Sequence, residues 1–518
     1  MKHFSSYSLA PALTMILATY GTVSLADENE VYLGQTGVTN VIDVEQAGNS
    51  NKIGADESTI FISQQGTSNE MTISQTGYAN EAGASAPTGT LGLYGLYQTG
   101  ANNILDITQE NDNSAGTNMI GAIDQQSPDT YASSVSNSLT IIQSQNSIDG
   151  TTGTGDGQGN HVIEEVQQIQ SDDNGAPNVA IIRQYDGALG IGDDGNSIGW
   201  LIQNGSGNYA NVIQQYRGNS LEAFRQLGTD NEAEIFQQAG VDNLIAHFDQ
   251  IGSSNRSVLA MIGSRNLIWS AIQNNDLVSV TGNIMTVTLE GDDNGGDGFG
   301  GLGQFSHDNT KQLQVSQAEI KQLGDHNTLN MVTTSASAMT QFGFVQDGDG
   351  NWISGTIDGI ENEIGAEQIG DGNRLTFAQT GEQNAMAVSY KGKDNELNAI
   401  QNGDENTMTI SFDGGISPLS RSDQTNDTAL GGFSDITLAY AGSLTPGDAI
   451  QNGNLNVASI HVMGGSFNKF AFSQSGDQNE IDGEIEGISN QSVVSQSYGE
   501  NYAYYRQYGN NNQIIILQ

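Results

Sequence analysis

The chain has 518 residues, 66 of them glycine and none cysteine, with 36% apolar content and a formal net charge of −45. The missing cysteines exclude disulfides and thiolate metal sites, and so acidic a surface repels nucleic acid and anionic lipid. Low apolar content with high net charge is the composition of a disordered chain, but here the apolar residues recur at fixed phase, which disorder does not predict.

In chain order, residues 1–26 read as a secretory signal: Lys2 and His3, an apolar stretch from Leu9 to Ala18, and small residues at Ser24 and Ala26 before Asp27. Ten or so apolar residues are too few to span a bilayer. A repeat then begins. The pattern Q-x-G-x-x-N starts at Gln35, Gln46, Gln64, Gln75, Gln98, Gln203, Gln226, Gln238, Gln250, Gln322, Gln346, Gln368, Gln379, Gln401, Gln451, Gln474 and Gln507, with Tyr390 standing in for Gln within the run 368–401. Between copies, apolar and polar residues alternate, as in Asn69-Glu-Met-Thr-Ile-Ser-Gln75 and in Asn373 to Gln379, with Leu375 and Phe377 inward. Alternation with period two is a half-buried strand, and the glycine after each Gln supplies a turn conformation that a Cβ would forbid. Two strand-turn units of eleven or twelve residues make a rung of about 22 residues, and rungs in series make an all-β, elongated β-solenoid. Stacking sets each Asn and Gln above its counterpart about 4.8 Å away, so that the inward amides satisfy one another.

The expected organisation is a signal peptide, 1–26, followed by one solenoid, 27–518. The phase is lost at 81–97, 111–160, 171–200, 290–303, 328–345 and 412–448, read as loop insertions or as rungs worn beyond recognition. Pro87, Pro128, Pro177, Pro418 and Pro446 all fall where the repeat is interrupted, as a residue unable to donate to a sheet ladder should. Phe224, Phe236 and Phe248 recur in the twelve-residue units, either as aromatic columns or as filling of a wider core. The final unit, Asn512 to Gln518, ends in phase and is apolar, the composition of an open strand edge.

Candidate chemical sites are weak. Asp347, Asp349 and Asp358 sit at calcium-loop spacing, but Trp352 takes the glycine position and the sequence doubles as a copy of the repeat. Asp292 to Gly298 is an acidic Gly/Asp loop that occurs once. Acids crowd the turns, as at Asp349, Asp371, Glu382, Asp404 and Asp477. They serve either as calcium-bridged columns that gate association or as plain solubilising charge. The six histidines are dispersed, and Arg217, Arg225, Arg256 and Arg265 are only loosely grouped. No catalytic constellation emerges, which disfavours a polysaccharide-active β-helix enzyme. A non-polymerising surface adhesin or cation-binding scaffold is the alternative. Tyr498, Tyr502, Tyr504, Tyr505 and Tyr508 would then be candidates for contact with a surface or sugar.

The phrase N-x-φ-x-φ-x-Q-x-G-x-x-N, seen in Gln64 to Asn69 followed by Gln75 to Asn80, resembles the curlin repeat of curli fibre subunits. The resemblance implies a β-solenoid subunit of adhesive, amyloid-like biofilm fibres, exported across the outer membrane of a Gram-negative bacterium. It implies self-association or association with other curlin-type subunits, and no enzymatic role or cofactor. The family's assembly residues are the inward amides, here Asn69, Gln75, Asn373, Gln379 and Asn384. To these the open final unit adds Gln507, Asn512, Ile514, Ile516 and Gln518. This chain departs from the family in having room for about four times as many repeats and in being far more acidic.

Overall fold

The computed structural model describes residues 29–54, 62–83, 95–111, 117–128, 137–144, 160–170, 175–185, 195–276, 281–295, 316–411, 433–462 and 467–518. The expected signal, Pro87 and Pro418 lie outside them. Every named strand pair is parallel, because each strand lies on the strand of the same phase one rung away. The strand Glu70–Gly77 shows why the repeat folds this way: Met71, Ile73 and Gln75 are buried while Thr72 and Ser74 are half-buried on the outer face. One face of each strand therefore joins a thin two-walled core and the other meets water.

Two long sheets form the walls. The first carries Leu33–Val38, Ile62–Thr67 and their counterparts as far as Tyr390–Lys391, with Gln on Gln from Gln35 to Gln368. The second runs from Val41–Gln46 to Gln513–Leu517 and stays open, its first and last strands each having one neighbour. Thr407–Met408, Val457–Ser459, Glu480–Asp482 and Tyr502–Tyr504 form a further four-stranded sheet near the end of the chain. The solenoid expected from the repeat is the observed fold.

Rung length varies more than the sequence period suggests. Ladder partners are 22 residues apart at Gln379–Gln401, 24 at Gln226–Gln250, 34 at Gln64–Gln98 and 50 at Gln401–Gln451. The excess falls in sequence between the paired strands. Several stretches that lose the sequence phase still hold rungs: Met119–Gln126, Asn137–Ser144, Asn178–Tyr185, Thr328–Thr333 and Gly343–Asp347 are strands in register with their neighbours. Asn137 to Gln143 and Asn178 to Gln184 keep the strand half of the unit and lack only the following G-x-x-N turn. Pro128, Pro177 and Pro446 stand outside strands.

Two details correct the expected pattern. In the twelve-residue unit Gln237, not Gln238, points inward, since the extra residue shifts the phase by one. Phe224 and Phe248 are fully buried and stack with centroids 5.2 Å apart, whereas Phe236 sits on the outer face of the other wall. Core volume is shared between rungs. Phe377 stacks on Phe344 at 5.7 Å, and its ring occupies the space that a Cβ on Gly355, its partner one rung below, would need.

The turn glycines are required by contact as well as by φ. A Cβ on Gly205 (φ +128°) would lie 1.8 Å from the carbonyl oxygen of Gly228, whereas one on Gly350 (φ +68°) would meet nothing within 4 Å. Gly205→Ala is therefore expected to break the register of rungs 202–229, seen as a loss of several degrees in Tm and of local amide protection. Gly350→Asn should be nearly neutral, because Asn tolerates that φ.

Candidate functional site

Four columns of amides line the core. In the first sheet Gln35 donates through Nε2 to Oε1 of Gln64 (2.8 Å), Gln64 to Gln98 (2.7 Å), and the chain of bonds continues unbroken to Gln368. In the second sheet it runs from Gln109 to Gln237, stops at Met261, and resumes from Gln379 through Gln401, Gln451, Gln474 and Gln496 to Gln518. All these bonds point from the earlier rung to the later one. The Asn columns point the other way. The backbone N–H and Nδ2 of Asn80, for example, both donate to Oδ1 of Asn51 one rung earlier (each 3.1 Å), and Asn501 does the same to Asn479.

This polarity accounts for three of the buried atoms that lack partners. Gln379 follows Ile357 in its column and Gln507 follows Ile485, and the Oε1 atoms of both have no donor. Asn395 is the last member of its Asn run, and its Oδ1 is likewise unmet. A ladder of Gln begins with an unmet acceptor and a ladder of Asn ends with one.

The turns add two further columns on the surface, one along each edge of the stack. Oδ1 of Asp349 accepts the backbone N–H of Asp325 (3.0 Å), Asp371 that of Asp349 (3.1 Å), Asp404 that of Glu382 (2.9 Å), Asn454 that of Asp404 (2.8 Å) and Asp477 that of Asn454 (2.9 Å). Asn serves as well as Asp, so what the position requires is an acceptor rather than a charge. The calcium-loop spacing does not become a loop: Asp347 and Asp349 lie at the turn leaving the first sheet, whereas Asp358 ends a strand of the second. Among the described residues, no group of three or more His, Asp or Glu is arranged to hold a metal ion. The loosely grouped arginines are tied across rungs, Arg225 to Asp249, Arg256 to Glu232 and Arg265 to Asp293.

The sequence-predicted assembly residues fall into two classes. Asn69, Gln75, Asn373, Gln379 and Asn384 have no exposed surface and act within the fold. Gln507, Asn512, Ile514, Ile516 and Gln518 belong to the last rung. There Ile514 and Ile516 are only half-buried, Gln518 is exposed and Gln507 is buried. At the other end Ile42 and Val44 also lie half-buried against the core, and Val31, Leu33, Val38 and Val41 are 41–61% exposed. Of the terminal tyrosines, Tyr498, Tyr502, Tyr504 and Tyr508 face water, but Tyr505 points inward over Gly483. No sequence signal separated it from the others except its odd place in the alternation. Arg506 lies over the Tyr504 ring at 4.3 Å and pairs with Asp482 and Glu484 of the preceding rung.

Three measurements check these assignments. Gln250→Leu strips Gln226 of its acceptor and Gln273 of its donor, and is expected to cost about 2–3 kcal/mol in urea unfolding. Asp404→Ala should cost about 1 kcal/mol by the same assay and Asp404→Asn almost nothing. Burial pushes the Tyr505 hydroxyl up to about 12 from 10.0. A group raised in the folded state contributes stability that is complete below its unfolded value and is lost as pH climbs through the folded one. The last rung should therefore loosen between pH 10 and about 12, read as amide exchange of 501–518, and Tyr505→Phe should remove that local dependence.

Among the described residues no helix is long and apolar enough to cross a membrane. No curated protein matches the chain. Residues 66–110 match the curlin associated repeat, and the chain carries that repeat.

Proposed function

We propose that this protein is a secreted structural subunit of an extracellular, curli-type fibre or biofilm matrix, and that copies add head to tail by continuing the strand ladders. The observation that carries the reading is the match between its two outermost rungs. Asn501, Gln507, Gly509, Asn512, Ile514, Ile516 and Gln518 fall on Asn29, Gln35, Gly37, Asn40, Ile42, Val44 and Gln46 without insertion or gap. Their hydrogen-bonding needs are complementary. Interior Gln496 uses Nε2 twice, on Gln518 and on the carbonyl of Glu480, while Gln518 uses it once, on Tyr502. Asn501 and Asn512 accept nothing at Oδ1 among the described residues, whereas Asn479 and Asn490 accept from the next rung. A second copy supplies Oε1 of Gln35 and of Gln46 and the N–H groups of Asn29 and Asn40. Two like ends brought together would oppose donor to donor.

Secretion is supported by the signal-like residues 1–26 and by the curlin associated repeat. Export through an outer-membrane pore, a Gram-negative source, and adhesion as the fibre's task follow from the same likeness. The acidic surface slows association at low salt and is screened at physiological ionic strength.

The chain has no cysteine of its own, so engineered pairs report register cleanly. Partners in adjacent parallel strands lie within the ~4.4–6.8 Å Cα separation that a disulfide spans. The double variant Glu30→Cys, Tyr502→Cys should link copies into covalent ladders on oxidation, whereas Glu30→Cys, Tyr508→Cys should not. Equal linking in both, or a wild-type protein that stays monomeric and thioflavin-negative, would overturn the proposal.

A further inference from the structure

The two outermost rungs match in sequence and differ in burial. No residue between 29 and 46 is buried, whereas the last rung has three buried anchors, Ala503, Tyr505 and Gln507. The last rung also has something laid across it. The chain leaves the stack after the strands Glu396–Asn402 and Thr407–Met408 and returns at Asp448–Asn452, which pairs directly with 396–402. The excursion thus begins and ends on adjacent rungs. Its helix, α1 (Asp435–Ala441), does not stay there. It packs on the outer face of Gln491–Ser497 and Gln513–Leu517, the last two strands of the second sheet.

The contact is specific. The backbone N–H of Ser434 donates to Oε1 of Gln491 (3.0 Å), and Nε2 of Gln513 donates to Oγ of Ser434 (3.0 Å), so one residue ties the last two rungs together. Phe433, Ala441 and Leu444 bury themselves against Ala471 and Val493, beside Ile450. Outward positions of this wall mix polar residues with apolar ones such as Ile213 and Phe236. Ala471, Val493 and Ile515, paired in sequence along the wall, form an apolar column where the helix lies. A seven-residue helix with no side-chain cap is unstable alone, so its order and that of the terminal strands depend on each other. End rungs of a solenoid have one neighbour instead of two and are where such stacks fray.

We infer that α1 is a clamp that holds the C-terminal rung ready as a standing template, and that the partner it serves is the N-terminal rung, residues 29–46, of a second copy, whose inward side chains become buried when it lands. The inference rests on the proposed head-to-tail assembly for its partner but not for the clamp itself. Growth is then polar: chains are received at the C-terminal face.

Hydrogen exchange on the monomeric full chain tests the clamp without any fibre. In the wild type, peptides covering 491–517 should be protected and 29–46 should exchange faster. The variant Phe433→Ser, Leu444→Ser should speed exchange at 491–517 about tenfold or more, with 203–273 unchanged as an internal check on folding. Ile436→Ser, on the exposed side of α1, should change neither. Seeds of the double variant should then elongate several-fold more slowly than wild-type seeds when fed wild-type monomer. Unaltered protection at 491–517 in the double variant would overturn the clamp. Altered protection with equal elongation would overturn the template role. A wild type that exchanges as expected yet forms no fibre would count against the proposed assembly and leave the clamp standing.

Discussion

Everything in this molecule depends on amide side chains that cannot be solvated and so must bond to their own kind along the stack. A buried primary amide has two donors and two acceptor sites, and an isolated one would cost a few kcal/mol. Repetition removes the cost, since a Gln within a ladder receives from the rung before and gives to the rung after, and spends its second proton on a carbonyl across the core, as Gln474 does on Val457. The aliphatic residues between them, such as Met71 and Ile73, provide the non-directional part of the burial. The amides fix register, because a slip of one residue turns every Gln outward.

Columns of opposite sense have a mechanical consequence. The Gln-to-Gln side-chain bonds of the ladders point toward the C-terminal end, and the bonds from each inward Asn to Oδ1 of its counterpart point toward the N-terminal end. The side-chain dipoles therefore oppose one another along the axis, while each end of the stack keeps its own set of unmet donors and acceptors. The acids on the turns fit the same scheme. Their oxygens continue Asx columns outside the core, so part of the chain's negative charge comes from residues that also hold the turns. A chain could not shed that charge by substitution with Ala without loosening its rungs, though Asn would serve.

Much of this was legible in the residues. The strands, the inward pairs such as Leu375 and Phe377, and the Gln columns follow from a period repeated often enough to exclude chance. The losses have physical causes. The rungs at Asn137–Ser144 and Asn178–Tyr185 read equally as loops or as worn rungs because only their turns have diverged, and the turn carries the most recognisable letters. Gln237 was mistaken for Gln238 because a twelfth residue moves the phase without changing the motif. The clamp was invisible because α1 is too short for a helical period to register, and its docking surface is recognisable only when Ala471, Val493 and Ile515 are known to lie one above another. The cross-rung pairs of Arg225 and Arg265 were hidden for the same reason: their partners are 24 and 28 residues away.

The accommodation between Phe377 and Gly355 bears on how such a chain can change its length. Because the phenyl ring fills the void left by a missing side chain on the neighbouring rung, those two rungs are a matched pair and not interchangeable parts. A duplication or deletion whose boundary fell between them would leave either a cavity or a collision, while one that copied both together would be silent. Lengthening by unequal exchange is thereby confined to particular seams, and a repeat protein that looks modular on paper inherits a grammar of permitted joins.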